Sequence, residues 1–318
     1  MTRTQRWTNT LLAVAALFVA AFPLVANSRY LVNLLSLILI WSILAMSLDL
    51  LVGYMGLSSL GHAGFFGAAA YCAGIMSSRF HLSFTQAFAV SVVFSALLAL
   101  LFGFLTTRTS GVTFSMVNLS LGMVIWGLAY RWCAVTGGDN GLTGIARPEI
   151  MGFRFGTPER YYYLVLGVFA VCATLLYLLV NSPFGLTMKG IKFSPRRMRA
   201  LGFDVFKHRL IAYTISGTFA GVAGIMSAFF NQFVSPTDAH IITSSKALLM
   251  VLVGGAGTLF GPIVGASVIV LLENFISAYT ERWVLIIGLL YVAVVMYSPD
   301  GVLGLADRLR KKWVRNGG

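Results

Sequence analysis

Charge is scarce in this chain: only 10% of its 318 residues are Asp, Glu, Lys or Arg. An ordinary soluble domain carries about 25%, so a water-facing surface cannot be built from this set. Cysteine is scarcer still. Cys72, Cys133 and Cys172 all lie in or beside apolar runs, which excludes a disulfide-stapled secreted fold and reads as buried free thiols. The four histidines, His62, His81, His208 and His240, share no HExxH pairing and no nearby cysteine pair, so no metal site is expected. No Gly-x-Ser-x-Gly elbow is present; Gly56-Leu57-Ser58-Ser59-Leu60-Gly61 comes nearest, with the wrong spacing. A hydrolase reading fails with it. A phosphate loop must end in Gly-Lys-Ser/Thr, whereas Gly261 is followed by Pro262. The chain is expected to bind no cofactor, and any ATP that drives it must sit on partner subunits.

What the chain has is apolar length. Hydrophobic residues make up 58% and the mean hydropathy is +0.85, which together mark a polytopic membrane protein. A hydrocarbon core about 30 Å thick takes about 20 apolar helical residues to cross. Clear runs occupy 11–26, 30–52, 84–105, 112–135, 161–180, 210–233 and 283–297. Segment 53–78 is apolar but glycine-rich. The long run from 242 to 278 is interrupted by Gly254-Gly255-Ala256-Gly257 and Gly261-Pro262, which break helices, and it divides into spans near 243–253 and 262–278. The expectation is an all-α transmembrane bundle of about ten crossings with broken glycine-rich helices, over residues 1–305. A basic tail, 306–318, follows. The first run is expected to stay as a span, because Leu24-Val25-Ala26 is a poor small-residue cleavage site.

The net charge of +13 could suggest nucleic acid, but its distribution argues against it. Seven of the 23 basic residues fall between Lys189 and Arg209 and five between Arg308 and Arg315. No aromatic-interleaved basic face accompanies them, and such clusters beside apolar runs mark cytoplasmic loops. With ten alternating crossings and Arg3 and Arg6 inside, 15 basic residues fall inside and eight, among them Lys246, fall outside or at the outer edge. Both termini are then cytoplasmic. Nine crossings would put the basic tail outside.

Two polar connections are sizeable: an external one, 136–160, and an internal basic one, 181–209. In the second, Ser194 and Pro195 can serve as N-cap and first residue of a short helix that Gly202 ends. A short helix between two spans is a docking element. Gly217 and Gly221 are four apart, as are Gly257, Gly261 and Gly265, a spacing that lets helix backbones approach in lipid. Ordinary intramembrane packing accounts for these glycines; the functional reading is that residues 254–265 form a hairpin turn lining a pathway or contacting a partner subunit. Asp49, His62 and Glu273, with Asn118, are the intramembrane polar candidates. For Asp49 and Glu273 an interfacial position is the alternative, and for His62 a packing role. Ser58, His62, Asn118, Gly255 and Gly257 are taken as candidate pathway residues.

The chain resembles the permease subunit of the branched-chain amino-acid ABC importers. The residues that carry the likeness are 53–67, GYMGLSSLGHAGFFG, and 136–144, TGGDNGLTG. It continues through Ser182-Pro183-Phe184-Gly185, Ala200-Leu201-Gly202, 216–224 (SGTFAGVAG) and 254–262 (GGAGTLFGP). The resemblance implies a non-catalytic, inner-membrane transport subunit that works by alternating access. It further implies a second homologous permease chain, two cytoplasmic ATPase subunits and a periplasmic solute-binding protein, in membrane lipid and without nucleic acid. It places ATPase coupling at Ser194, Arg196, Arg197, Met198, Arg199, Ala200, Leu201, Gly202 and Phe203. One departure stands out: relatives usually carry acidic residues in that helix, where this chain has Phe193, Pro195 and Arg199. The competing reading is a stand-alone secondary transporter or channel for small polar solutes, which would need coupling groups or inverted repeats. Neither is evident in the sequence.

Overall fold

The computed structural model describes residues 28–150 and 152–280, together with Arg282, Leu285, Ile286, Gly288, Leu289 and Val292. The expected first span, most of the last one and the basic tail lie outside these residues.

Helix α1, Arg29–Asp49, runs without a break into a π-helical stretch, Leu50–Met55. Gly56 ends it with φ +71, a conformation that costs a side-chain-bearing residue about 1–2 kcal/mol. This corrects the expected glycine-rich crossing at 53–78. Its first three residues complete α1, residues 56–61 are irregular, and only α2, His62–Ser78, is helical. At 17 residues and about 1.5 Å each, α2 is shorter than the bilayer core.

Helices α3, Phe84–Thr106, and α4, Val112–Arg131, follow, the latter extended by a short turn, α5, Cys133–Thr136. The next connection holds a 3₁₀ turn at Gly138–Asn140 and a two-stranded antiparallel hairpin, β1 Glu149–Ile150 and β2 Phe153–Arg154. Then come α6, Pro158–Val180; two short helices, α7 Pro183–Phe193 and α8 Pro195–Ala200; and α9, Val205–Asn231. A 3₁₀ turn at Pro236–Ala239 leads to α10, Ile241–Gly254, and α11, Gly261–Ser277. Among the described residues, five helices are long and apolar enough to cross a membrane: Arg29–Met55, Phe84–Thr106, Val112–Arg131, Pro158–Val180 and Val205–Asn231.

Burial divides these five into centre and rim. In α1 and α9, 67% of the most apolar window is buried, against 22–28% in α3, α4 and α6. Along the middle of α3 the inward stripe is small, with Ala87, Ser91, Ser95 and Ala99 buried between Phe84 and Phe102, while Val93, Phe94, Leu97, Leu101 and Leu105 face outward. Large apolar residues outside and small ones inside suit a lipid solvent, where close packing rather than water exclusion holds helices together. The expected glycine contact is there. Gly217 and Gly221 of α9 press on Ala99 and Ser95 of α3, and the Ser95 hydroxyl donates to the Gly217 carbonyl at 3.0 Å. The expected 254–265 turn is also there: α10 and α11 fold back on each other, with Gly265 against the Met250 carbonyl.

Candidate functional site

The face carrying residues 181–204 is built by local capping. Ser182 accepts from the Gly185 N–H at 3.4 Å ahead of Pro183, starting α7. Ser194 does the same for the Arg197 N–H at 3.4 Å, starting α8. At the far end Phe203 N–H donates to the Met198 carbonyl and Gly202 N–H to the Arg199 carbonyl, both at 3.0 Å. With Gly202 at φ +87, this is the paired C-terminal capping that halts a helix sharply. Asp204 then caps α9, and the Lys207 backbone N–H, at 3.1 Å, holds its carboxyl below the ordinary carboxylate value. The expected short helix is present. Its partner α7 is an addition, although Ser182-Pro183 carries the same start signal as Ser194-Pro195.

The candidate coupling residues divide by exposure. Arg196, Arg197, Arg199 and Ala200 are exposed, and Leu201 is 72% exposed. Phe203 projects beside His208. Met198, one of the candidate coupling residues, turns inward onto Gly190 of α7. Two apolar residues outside the candidate set stand further out: Phe193 at 80% and Leu186 at 73%.

From α7, Lys192 reaches back into the bundle and donates from Nζ to the Gly53 carbonyl at 2.6 Å. Lys189 lies over the Tyr54 ring at 5.2 Å. Gly53 is also where the α10–α11 turn meets α1, because its Cα faces Asp49 Oδ1 and the Gly257 backbone. The Gly257 N–H donates to Asp49 Oδ1. Asp49 is thus a fully buried group joining two helix breaks.

Two residues earlier on α1, Ser47 contacts His62 Nε2 at 3.1 Å. Ser47 already gives its proton to the Leu44 carbonyl and Ser216 gives its own to the Ser47 carbonyl. His62 Nε2 must therefore be the donor, leaving Nδ1 unprotonated and unpaired. His62 is fully buried. Asn118 Oδ1 accepts from the Tyr213 hydroxyl at 2.9 Å, and Gly61 packs on the Asn118 backbone. Ser58 is exposed, its carbonyl held by Ser115 at 2.7 Å. Ser58, His62 and Asn118 thus gather around the break before α2. Gly255 and Gly257 gather at the α10–α11 turn, with α1 between the two groups.

A third polar feature was not put together from the sequence. Lys246 of α10 and Glu273 of α11 form an ion pair, with side chains 17% and 21% exposed. It borders a cavity of about 420 Å³ lined also by Trp41, Phe66, Asn231 and Asn274. The charge count alone places Lys246 outside or at the outer edge, and hydropathy alone leaves Glu273 an intramembrane or interfacial acid. Among the described residues no group of three or more His, Cys, Asp or Glu could hold a metal ion.

Residues 30–295 match the family described as branched-chain amino acid transport system, permease component. The chain is 28% identical to the high-affinity branched-chain amino acid transport system permease protein LivM of Escherichia coli strain K12, over 92% of this chain and 74% of that one. The corresponding Salmonella typhimurium LivM gives the same identity and coverage. A probable branched-chain amino acid transport permease protein LivH of Methanocaldococcus jannaschii is 28% identical over 48% of this chain and 50% of its own. No solved structure matches.

Proposed function

The chain belongs to the branched-chain amino acid transport permease family, and from that premise we propose that it lines the path of an ATP-driven importer for branched-chain or related amino acids. As a family member it is a multi-pass membrane transport subunit. Two cytoplasmic ATPases, a second related permease and a periplasmic binding protein would complete the importer. The basic 181–209 face would be cytoplasmic, as would both termini, in a bundle of about ten crossings.

The observation that carries this reading is the α7–α8 pair. It is short, capped at both ends, rich in unpaired exposed apolar and basic groups, and tied by Lys192 to Gly53 at a helix break. A rigid element on the surface with an internal attachment can transmit a push, whereas a floppy loop would absorb it. The expected site for the ATPase is α8 through Phe203, joined by Leu186 and Phe193. The break at 56–61 and the 254–261 turn meet α1 on its Ser47–Gly53 segment, so they would shift together in alternating access.

Reconstitution in liposomes separates this reading from a stand-alone transporter. The chain alone should take up no solute down an ion gradient. Together with its permease partner, ATPases and binding protein it should import amino acid only with ATP. Robust gradient-driven uptake by the chain alone would overturn the importer reading.

A further inference from the structure

We propose that the Lys246–Glu273 cavity binds a zwitterion with an apolar side chain, an α-amino acid, by exchanging its internal ion pair for two ion pairs to the ligand. The ligand carboxylate goes to Lys246 and its ammonium to Glu273. The inference rests on the importer reading above and names a substrate site within it.

The geometry points this way for three reasons. First, the pair lies in the helical bundle, yet it borders a cavity of about 420 Å³ rather than being closed over. An ionisable group at membrane depth is costly and is retained where it has work to do. A neutral ligand with opposite charges on neighbouring atoms can enter this pair without changing the charge of the cavity. A lone carboxylate or a lone amine would leave one partner uncompensated. Secondly, the two groups are pre-positioned. Lys246 Nζ lies over the Trp41 ring at 4.1 Å, a second contact that restrains its flexible stem. The Asn274 amide donates to the Val270 carbonyl at 2.9 Å and the Asn231 amide to Ser227 at 3.4 Å, so both amide oxygens remain to accept from an ammonium group. Asp238, the other acid on the cavity, already accepts from the Ser235 N–H at 3.0 Å as a cap. Thirdly, Leu37, Trp41 and Phe66 give the same cavity an apolar wall, which suits a branched aliphatic side chain.

The bland account is an ion pair that only ties α10 to α11. Those helices already meet through Gly254 on Gly261 and Gly265 on Met250, the latter one turn from Lys246, so the hairpin does not depend on the pair alone.

Thermal unfolding of the purified full-length chain, with leucine at millimolar concentration as probe, tests the proposal. Leucine should raise Tm by about 2–4 °C, while 4-methylpentanoate and isopentylamine, each lacking one charge, should not. The double variant K246M/E273Q, which removes both charges together, should fold and lose the leucine shift. An equal shift from 4-methylpentanoate, or a leucine shift that persists in the double variant, overturns the zwitterion site. If the reconstituted importer carries leucine while the chain shows no leucine shift, the site is wrong and the importer reading stands. An importer that carries no amino acid overturns both.

Discussion

The Asp49 carboxylate accepts a 2.8 Å hydrogen bond from the backbone N–H of Gly257, joining positions 208 residues apart in sequence. Each residue sits at a place where a membrane helix gives way. Asp49 directly precedes the π-helical stretch, and Gly257 lies in the turn between α10 and α11 at φ +85. Helix breaks free backbone groups that lipid cannot satisfy, and here a side chain from one break satisfies a group at the other.

That reciprocity predicts an ordering of Asp49 variants. Asp49→Asn keeps an acceptor for the Gly257 N–H, whereas Asp49→Leu leaves that N–H buried without one. A buried unsatisfied donor costs about 1–3 kcal/mol. Thermal unfolding in detergent should therefore rank Asn above Leu. Equal stability of the two would show that the bond holds nothing together.

Gly53 is the contact point of three elements, and its lack of a side chain is what permits this. A Cβ there would meet the Asp49 carboxylate and fall 2.6 Å from the Gly257 Cα. Backbone cannot yield as a side-chain tip can, so Gly53→Ala should destabilise by about 1–3 kcal/mol or more. Gly167, on α6, has nothing within 4 Å of the same added atom. Gly167→Ala should be neutral, or stabilising by up to about 1 kcal/mol through helix propensity. Folded yield of the two variants by size-exclusion chromatography is the measurement, and matching yields would refute the crowding argument.

These residues also show how far the sequence can be read. The short helix after Ser194 was legible because capping is local: Ser, Pro and Gly within nine positions specify it. Gly217 and Gly221 were legible for the same reason, since spacing of four means one helix face. The boundary inside 53–78 was not. Hydropathy is similar on both sides of Gly56, and what ends α1 there is a backbone conformation with no apolar signature. The Lys246–Glu273 pair was missed because charge counting assigns each residue to a side of the membrane by itself. Pairing needs the α10–α11 hairpin angle, which depends on glycine contacts between the two helices. The inward turn of Met198 was not legible, because it depends on Gly190 of α7, eight residues away on a second helix.

Lys192 is the link from the basic face into the bundle, so its loss should affect transmission more than assembly. Lys192→Met keeps the aliphatic stem and deletes the donor to the Gly53 carbonyl. Hydrogen bonds from charged groups contribute about 1.5–3 kcal/mol, and less when partly exposed, so the variant should still fold. In the reconstituted importer, amino acid carried per ATP hydrolysed should fall severalfold, with the ATPases still bound. An unchanged ratio would remove Lys192 from the transmission path.

The apolar tip of the α8 element carries the last prediction. Exposed ion pairs contribute only about 0–1 kcal/mol each, so Arg196, Arg197 and Arg199 would steer a partner more than hold it. Met198 is committed to α7, which leaves Leu201, largely exposed, and Phe203 as the candidate anchors within the short loop. Burying each in a partner groove would contribute up to about 1.5–3 kcal/mol. Together they would change binding by two to four powers of ten at about 1.4 kcal/mol per tenfold. Leu201→Asp with Phe203→Asp should therefore release the ATPases while the permease stays folded, because Leu201 is largely exposed, Phe203 partly so, and neither belongs to the buried core. Pull-down of the ATPases and solute-stimulated ATP hydrolysis should fall together. If both hold at the wild-type level, the docking surface shifts to the neighbouring Leu186 and Phe193 of α7, and the corresponding aspartate pair there should then show the loss.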